Sequence, residues 1–190
     1  MKSNYESDCE RINKFLRNFN NHQITVIHES DKVKRYSFKQ PDTGCYGFSL
    51  TCADNLIVMT GDCYSLLVEP GYGRDGLAFL RGSINSYGYF LSKCPLNMEI
   101  KKYSPERALK LVKEYYKDYL EKDLKEDELP CDFYEEGLRG EVAYWDFCHE
   151  SEIDDPGCPT VYTGQTLLQI AGLMKFVEEY GKLSGERILK

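Results

Sequence analysis

Between residues 24 and 69 the side chains alternate in character with a period of two, and only short turn signals interrupt the alternation. Ile24, Val26 and His28 alternate with Thr25 and Ile27. Tyr36 and Phe38 alternate with Arg35, Ser37 and Lys39, and Tyr46, Phe48, Leu50 and Cys52 with Gly47, Ser49 and Thr51. Two further β-rich runs, 56–60 and 64–69, flank the turn signal Gly61-Asp62. Successive residues of a strand point to opposite faces, so each run presents one apolar face. Parallel strands need a crossover of about a dozen residues or more, and no gap here has that length. The alternation therefore predicts an antiparallel meander of five strands over residues 22–69.

The pattern before and after is helical. Ile12, Phe15, Leu16 and Phe19 stand at i, i+3, i+4 and i+7, one face of an N-terminal helix. Asp75 is placed to cap a segment carrying Leu77, Phe79 and Leu80, and Tyr87, Phe90 and Leu91 make a second short face that ends at Cys94-Pro95. Ser104-Pro105-Glu106 opens a longer helix with an oxygen cap, a proline where no amide donor is needed and a carboxylate in the first turn. Its face is Ala108, Leu111, Val112, Tyr115 and Tyr119. A last helix is predicted over 164–180, with Leu167, Ile170, Ala171, Met174 and Val177 on its core face and Gly181 as its C-cap. Strands first and helices afterwards give an α+β fold: a five-stranded antiparallel sheet with an N-terminal helix and several C-terminal helices on one face. No composition break divides residues 1–190, so a single domain is expected, strand-rich over 22–69 and helix-rich over 75–182.

Charge is unevenly placed. Residues 118–155 hold fifteen acids and three bases, a net −12, while the whole chain is at −7; the remainder is at +5. Residues 1–8 contain no apolar run of signal-peptide length, and no apolar run approaches the roughly 20 residues that cross a bilayer, so a cytoplasmic protein without membrane contact is expected. Eight cysteines are scattered over the chain without a disulfide-rich spacing; they read as reduced thiols.

Several groups of residues carry atoms suited to chemistry. Cys131, Cys148, His149 and Cys158 carry zinc-binding atoms, but no close CxxC pair fixes two ligands together, and neither metal nor other cofactor is expected. Cys63 with His22, His28 or His149 has the atoms of a cysteine hydrolase, without a nucleophile turn around the thiol. Gly71, Gly73 and Gly76 have the bare dinucleotide-loop spacing, which has meaning only in a parallel strand-helix-strand unit. Lys32, Lys34, Arg35 and Lys39 mix with Tyr36 and Phe38 as in single-strand binders; the negative net charge argues against direct nucleic-acid binding, and lysines on an exposed strand also deter edge pairing. Asp62, Arg81, Ser83 and Ser86 form an alternative site for a small ligand or a hydrolytic reaction, with Asp62 as base and Arg81 as anion clamp.

Residues 44–51, the turn Thr60-Gly61-Asp62 and residues 79–91, led in by Pro41-Asp42-Thr43-Gly44, resemble a group of proteins encoded by phages and prophages. The likeness covers about residues 38–95. It brings no activity; it implies a protein made in a bacterial cytoplasm, with evasion of host defence as a context. With it, the acidic segment reads as a docking surface. Glu126, Asp127, Glu128, Glu135 and Glu136, with Phe133 and Tyr134 as aromatic anchors, would engage a basic host protein or nucleoprotein complex, as an anti-CRISPR-like inhibitor of an RNA-guided nuclease does. A binding protein rather than an enzyme is the expectation.

Overall fold

The computed structural model describes residues 7–96, 98–120, 140–153 and 157–185. In chain order its elements are α1 (Asp8–Leu16), β1 (Gln23–Glu29), β2 (Val33–Lys39), β3 (Phe48–Ala53), β4 (Leu56–Gly61), β5 (Leu66–Val68), α2 (Gly76–Ser83) and α3 (Tyr87–Leu91). There follow β6 (Lys101–Tyr103), α4 (Pro105–Leu120), α5 (Glu141–Glu150), β7 (Thr160–Tyr162) and α6 (Gly164–Leu183). They fall into two compact units: a sheet unit, Ser7–Ile100 with the chain from Thr163, and a helical unit, Lys101–Tyr162.

In the sheet unit the strands lie in sequence order β1-β2-β3-β4-β5, each antiparallel to the next. This is the α+β meander that the alternation requires. Ile24, Phe38 and Phe48 form one cross-strand rung, and Val26, Tyr36, Leu50, Met59 and Leu66 the next. From Tyr36 to Met59 these inner positions are at most 3 % exposed, because α1, α2 and α6 cover them. Ser7 caps α1 reciprocally: its hydroxyl accepts from the Glu10 amide at 3.3 Å, and its own amide donates to the Glu10 carboxylate at 2.8 Å, satisfying two amides the helix cannot. Asp75 caps α2 as expected, accepting from the Ala78 amide at 2.7 Å.

Four details differ from the sequence reading. A bulge between Val26 and His28 absorbs Ile27 and sets His28 opposite Arg35, on the face away from Val26; an extra residue inverts every later side chain of a strand. Tyr46 and Tyr64 lie outside their strands with φ of 57° and 66°, conformations that cannot continue a ladder. The buried face of α6 is broader than one stripe: Thr166 to Leu173 are all buried, and Phe176 is fully so, because α6 meets both α1 and the sheet. Gly181 is buried inside α6, which runs on to Leu183; the left-handed position falls to Gly185 at φ 68°.

The helical unit has its own core. Ser104 starts α4 by accepting from the Arg107 amide at 3.1 Å. Ala108 and Val112 of α4 pack with Tyr144, Cys148 and Ile153, with Leu111 and Tyr115 partly buried beside them. β6 and β7 pair antiparallel, Lys102 opposite Val161.

Candidate functional site

Alternation that buries one set of side chains turns the other outward. On the outer face of the sheet Thr25, Ser37, Ser49 and Thr60 are successive partners in one rung across β1–β4. The adjoining rung is His28, Arg35, Thr51, Val58 and Leu67. All of these are exposed or half-buried. None of the four hydroxyls in the first rung has a hydrogen-bond partner among the described residues.

A third rung forms a corner of this face. Gln23 opposes Lys39; Gly47 lies next to Lys39, so that a Cβ on it would stand 3.2 Å from the Lys39 Cβ. Beyond Gly47 the Asp62 amide donates to the Gly47 carbonyl at 2.9 Å. Lys39 and Asp62 thus flank a residue without a side chain. Gly61 makes the approach possible: its φ is 143°, and a Cβ there would lie 2.5 Å from the Gly47 carbonyl oxygen. The result is an open surface depression of about 280 Å³ lined by Ser37, Lys39, Gly47, Ser49, Thr60 and Asp62 among others.

Of the residues grouped with Asp62 by sequence, none of Arg81, Ser83 and Ser86 lines this depression. The Arg81 guanidinium stands 5.7 Å from the ring centre of Tyr180, which in turn contacts Tyr36 on the inner face. Ser83 is buried and donates to the Phe79 carbonyl at 2.6 Å. Ser86 is exposed at the end of a 3₁₀ turn. Asp62 and Arg81 therefore lie on opposite sides of the sheet.

The thiols of Cys52, Cys63, Cys94 and Cys148 are held toward the protonated form. Burial first, then the Asp62 charge, pushes Cys63 up to about 12, and its Sγ donates to the Tyr46 carbonyl at 3.3 Å. Cys52 is pushed up to about 12 and Cys94 to about 11, both chiefly by burial. Thiolate is the nucleophilic form, so these environments suppress reactivity. Cys148 sits in the core of the helical unit with its pKa raised by burial, while His149 is exposed and Cys158 lies 3.1 Å from the Thr160 hydroxyl. No group of three or more metal-binding side chains occurs among the described residues, and Cys131 lies outside them.

His22 is not paired with Cys63. It is 4 % exposed, its ring 5.1 Å from those of Phe19 and Phe38, and neither nitrogen has a hydrogen-bond partner among the described residues. Desolvation holds its pKa below 6.5, although the nearby carbonyls of Cys45 and Tyr46 favour the charged form. The unfolded chain thus binds this proton more readily. The stability that neutral His22 supports is complete above its unfolded value of 6.5 and declines as pH falls below it. Urea midpoints measured through that interval should fall with pH, and less steeply in His22→Phe; parallel profiles would refute the assignment to His22.

Two other sequence features are settled by the strand order. β2 lies between β1 and β3, so Arg35 and Lys39 do not guard an edge. Lys34, on the inner side, meets Asp75 at 3.2 Å. The Asp75 carboxyl is held below its ordinary value by the Ala78 amide and then by Lys34, so the start of α2 already holds its own anion. The glycine loop leaves an antiparallel strand, which removes the context a dinucleotide fingerprint needs.

Within the acidic segment, Glu126, Asp127, Glu128, Phe133, Tyr134, Glu135 and Glu136 lie outside the described residues. α5 is described, and it presents something the sequence reading did not single out. Tyr144 and Cys148 face the core, whereas Val142 is 75 % and Trp145 41 % exposed. Glu141, Asp146 and Glu150 are exposed around them. The signal was present in Glu141–Glu150, whose apolar residues occupy more than one face of the helix. Trp145 is braced by the Tyr144 ring at 5.2 Å. No helix among the described residues is long and apolar enough to cross a membrane. No family model, curated protein or solved structure matches the chain.

Proposed function

We propose that the protein acts by docking onto a macromolecule with a basic surface, using the acidic segment 118–155 with Trp145 as an anchor. The observation that carries this reading is the outward face of α5, where Val142 and Trp145 stand exposed among Glu141, Asp146 and Glu150. Interfaces draw most of their binding energy from a few aromatic anchors, and complementary charge speeds and orients the encounter. A net −12 over this segment against +5 elsewhere supplies the steering field. The protonated thiols of Cys52, Cys63 and Cys94 support binding over cysteine chemistry. The free thiols among the described residues fit a reducing bacterial cytoplasm, and the proposed partner there is a host protein whose basic channel otherwise holds nucleic acid.

The test uses a purified RNA-guided nuclease, with and without its guide, and measures binding across salt concentrations. Affinity for the guide-free form should fall steadily with salt, because exposed charges are screened. Trp145→Ala should weaken binding about tenfold or more while leaving the Tyr144 core intact. Reversal of Glu126, Asp127, Glu128, Glu135 and Glu136 to lysine should abolish the salt dependence. Binding that ignores salt, or that both variants retain, sinks the proposal.

A further inference from the structure

We infer that the corner between Lys39 and Asp62 is a binding site for a small zwitterion, a free α-amino acid or a compound with the same ammonium and carboxylate pair. The inference uses the sheet unit alone and is independent of the docking surface. Lys39 and Asp62 stand on one rung of the outer face with Gly47 between them. Their backbones are therefore about 9–10 Å apart, two strand spacings. They line the same depression, yet neither has an ion-pair partner among the described residues. One cation and one anion facing a shared space with no ion pair between them match a ligand carrying both charges.

The walls agree with that charge pattern. Ser37, Ser49 and Thr60 run beside the Lys39–Gly47–Asp62 line at one strand spacing per step, their hydroxyls unpaired among the described residues. A hydroxyl both donates and accepts, so the row serves a carboxylate at the lysine end and an ammonium at the aspartate end. The floor is kept clear by backbone geometry: a Cβ at Gly47 would meet the Gly44 carbonyl oxygen at 2.9 Å, and one at Gly61 the Gly47 carbonyl oxygen at 2.5 Å.

Other ligand classes fit less well. A phosphate dianion would face the Asp62 carboxylate, and a simple cation would face Lys39. A nucleobase would find no exposed aromatic plane in the lining to stack on. The depression is shallow and open to solvent, with a volume of about 280 Å³, below the range of enclosed ligand cavities and on the scale of a molecule of amino-acid size.

The experiment titrates the isotope-labelled full chain with glycine, L-serine and L-glutamine, and with acetate and methylammonium as single-charge controls, following backbone amide resonances. Saturable shifts at Lys39, Gly47, Ser49 and Asp62 are expected with the amino acids, with affinity about tenfold above either control. Lys39→Met and Asp62→Asn should each weaken amino-acid binding by about tenfold. Both side chains are exposed; circular dichroism checks that the variants fold, and Lys39→Gln or Asp62→Ser replaces any that does not. The wild-type comparison of ligands decides by itself. Absence of saturable shifts, acetate or methylammonium binding as tightly as the amino acids, or unchanged affinity in both variants would overturn the assignment.

Discussion

Phe176→Ala is expected to destabilise the sheet unit by about 3–5 kcal/mol, the range for removing a fully buried phenylalanine. Phe176 is 0 % exposed, and its ring centre lies 5.3 Å from Tyr36, 5.9 Å from Phe38 and 6.0 Å from Tyr180. It joins α6 to β2 on the inner face of the sheet. Truncation forfeits the burial of the ring and its edge-on contacts, and leaves a void that three large aromatic neighbours cannot close. Urea unfolding followed by circular dichroism should show the midpoint displaced accordingly. A loss under about 1 kcal/mol would mean that the cluster repacks and that α6 is not the keystone of this core.

Gly61→Ala should cost about 3 kcal/mol or more, for two reasons that reinforce each other. The φ of 143° is one that L-residues rarely adopt, and the added Cβ would lie 2.5 Å from the Gly47 carbonyl oxygen and 2.8 Å from the Phe48 Cα. Both obstacles are backbone, so no side chain can turn aside to make room. Gly82→Ala is the matched control. Gly82 lies within α2 with no atom within 4 Å of the added Cβ, and alanine there should stabilise by about 0.5–1 kcal/mol, its gain over glycine inside a helix. Equal responses at the two sites would contradict the strand geometry that sets Asp62 beside Gly47.

Much of the fold is legible residue by residue. Alternation at Tyr36, Phe38, Phe48 and Leu50 specifies which side is buried, and Asp75 and Ser104 announce helix starts that their hydrogen bonds bear out. Phe176 is missed by a stripe built on Leu167, Ile170, Ala171, Met174 and Val177, because a stripe assumes one packing partner and α6 has two. His28 is misplaced because a bulge has no composition of its own. The change of unit at Ile100 and again at Thr163 is likewise unmarked, since the chain leaves and re-enters through residues of ordinary polarity.

The candidate sites divide in the same way. Asp62 could be suspected from its turn, but its company could not: Arg81 and Ser83 are near it in sequence and on the other side of the sheet in space. Lys39, by sequence one of several basic residues of β2 and its approach, is the charge that lines the same depression. Trp145 is left outward because Tyr144 and Cys148 take the buried side of α5. The antiparallel meander, the starts of α2 and α4 and the separation of charge are written in the local sequence, because each depends on neighbours within a few residues along the chain. Which outward residues stand together is a property of the folded chain, because cross-strand register and the choice of buried helix face depend on packing between segments far apart in sequence.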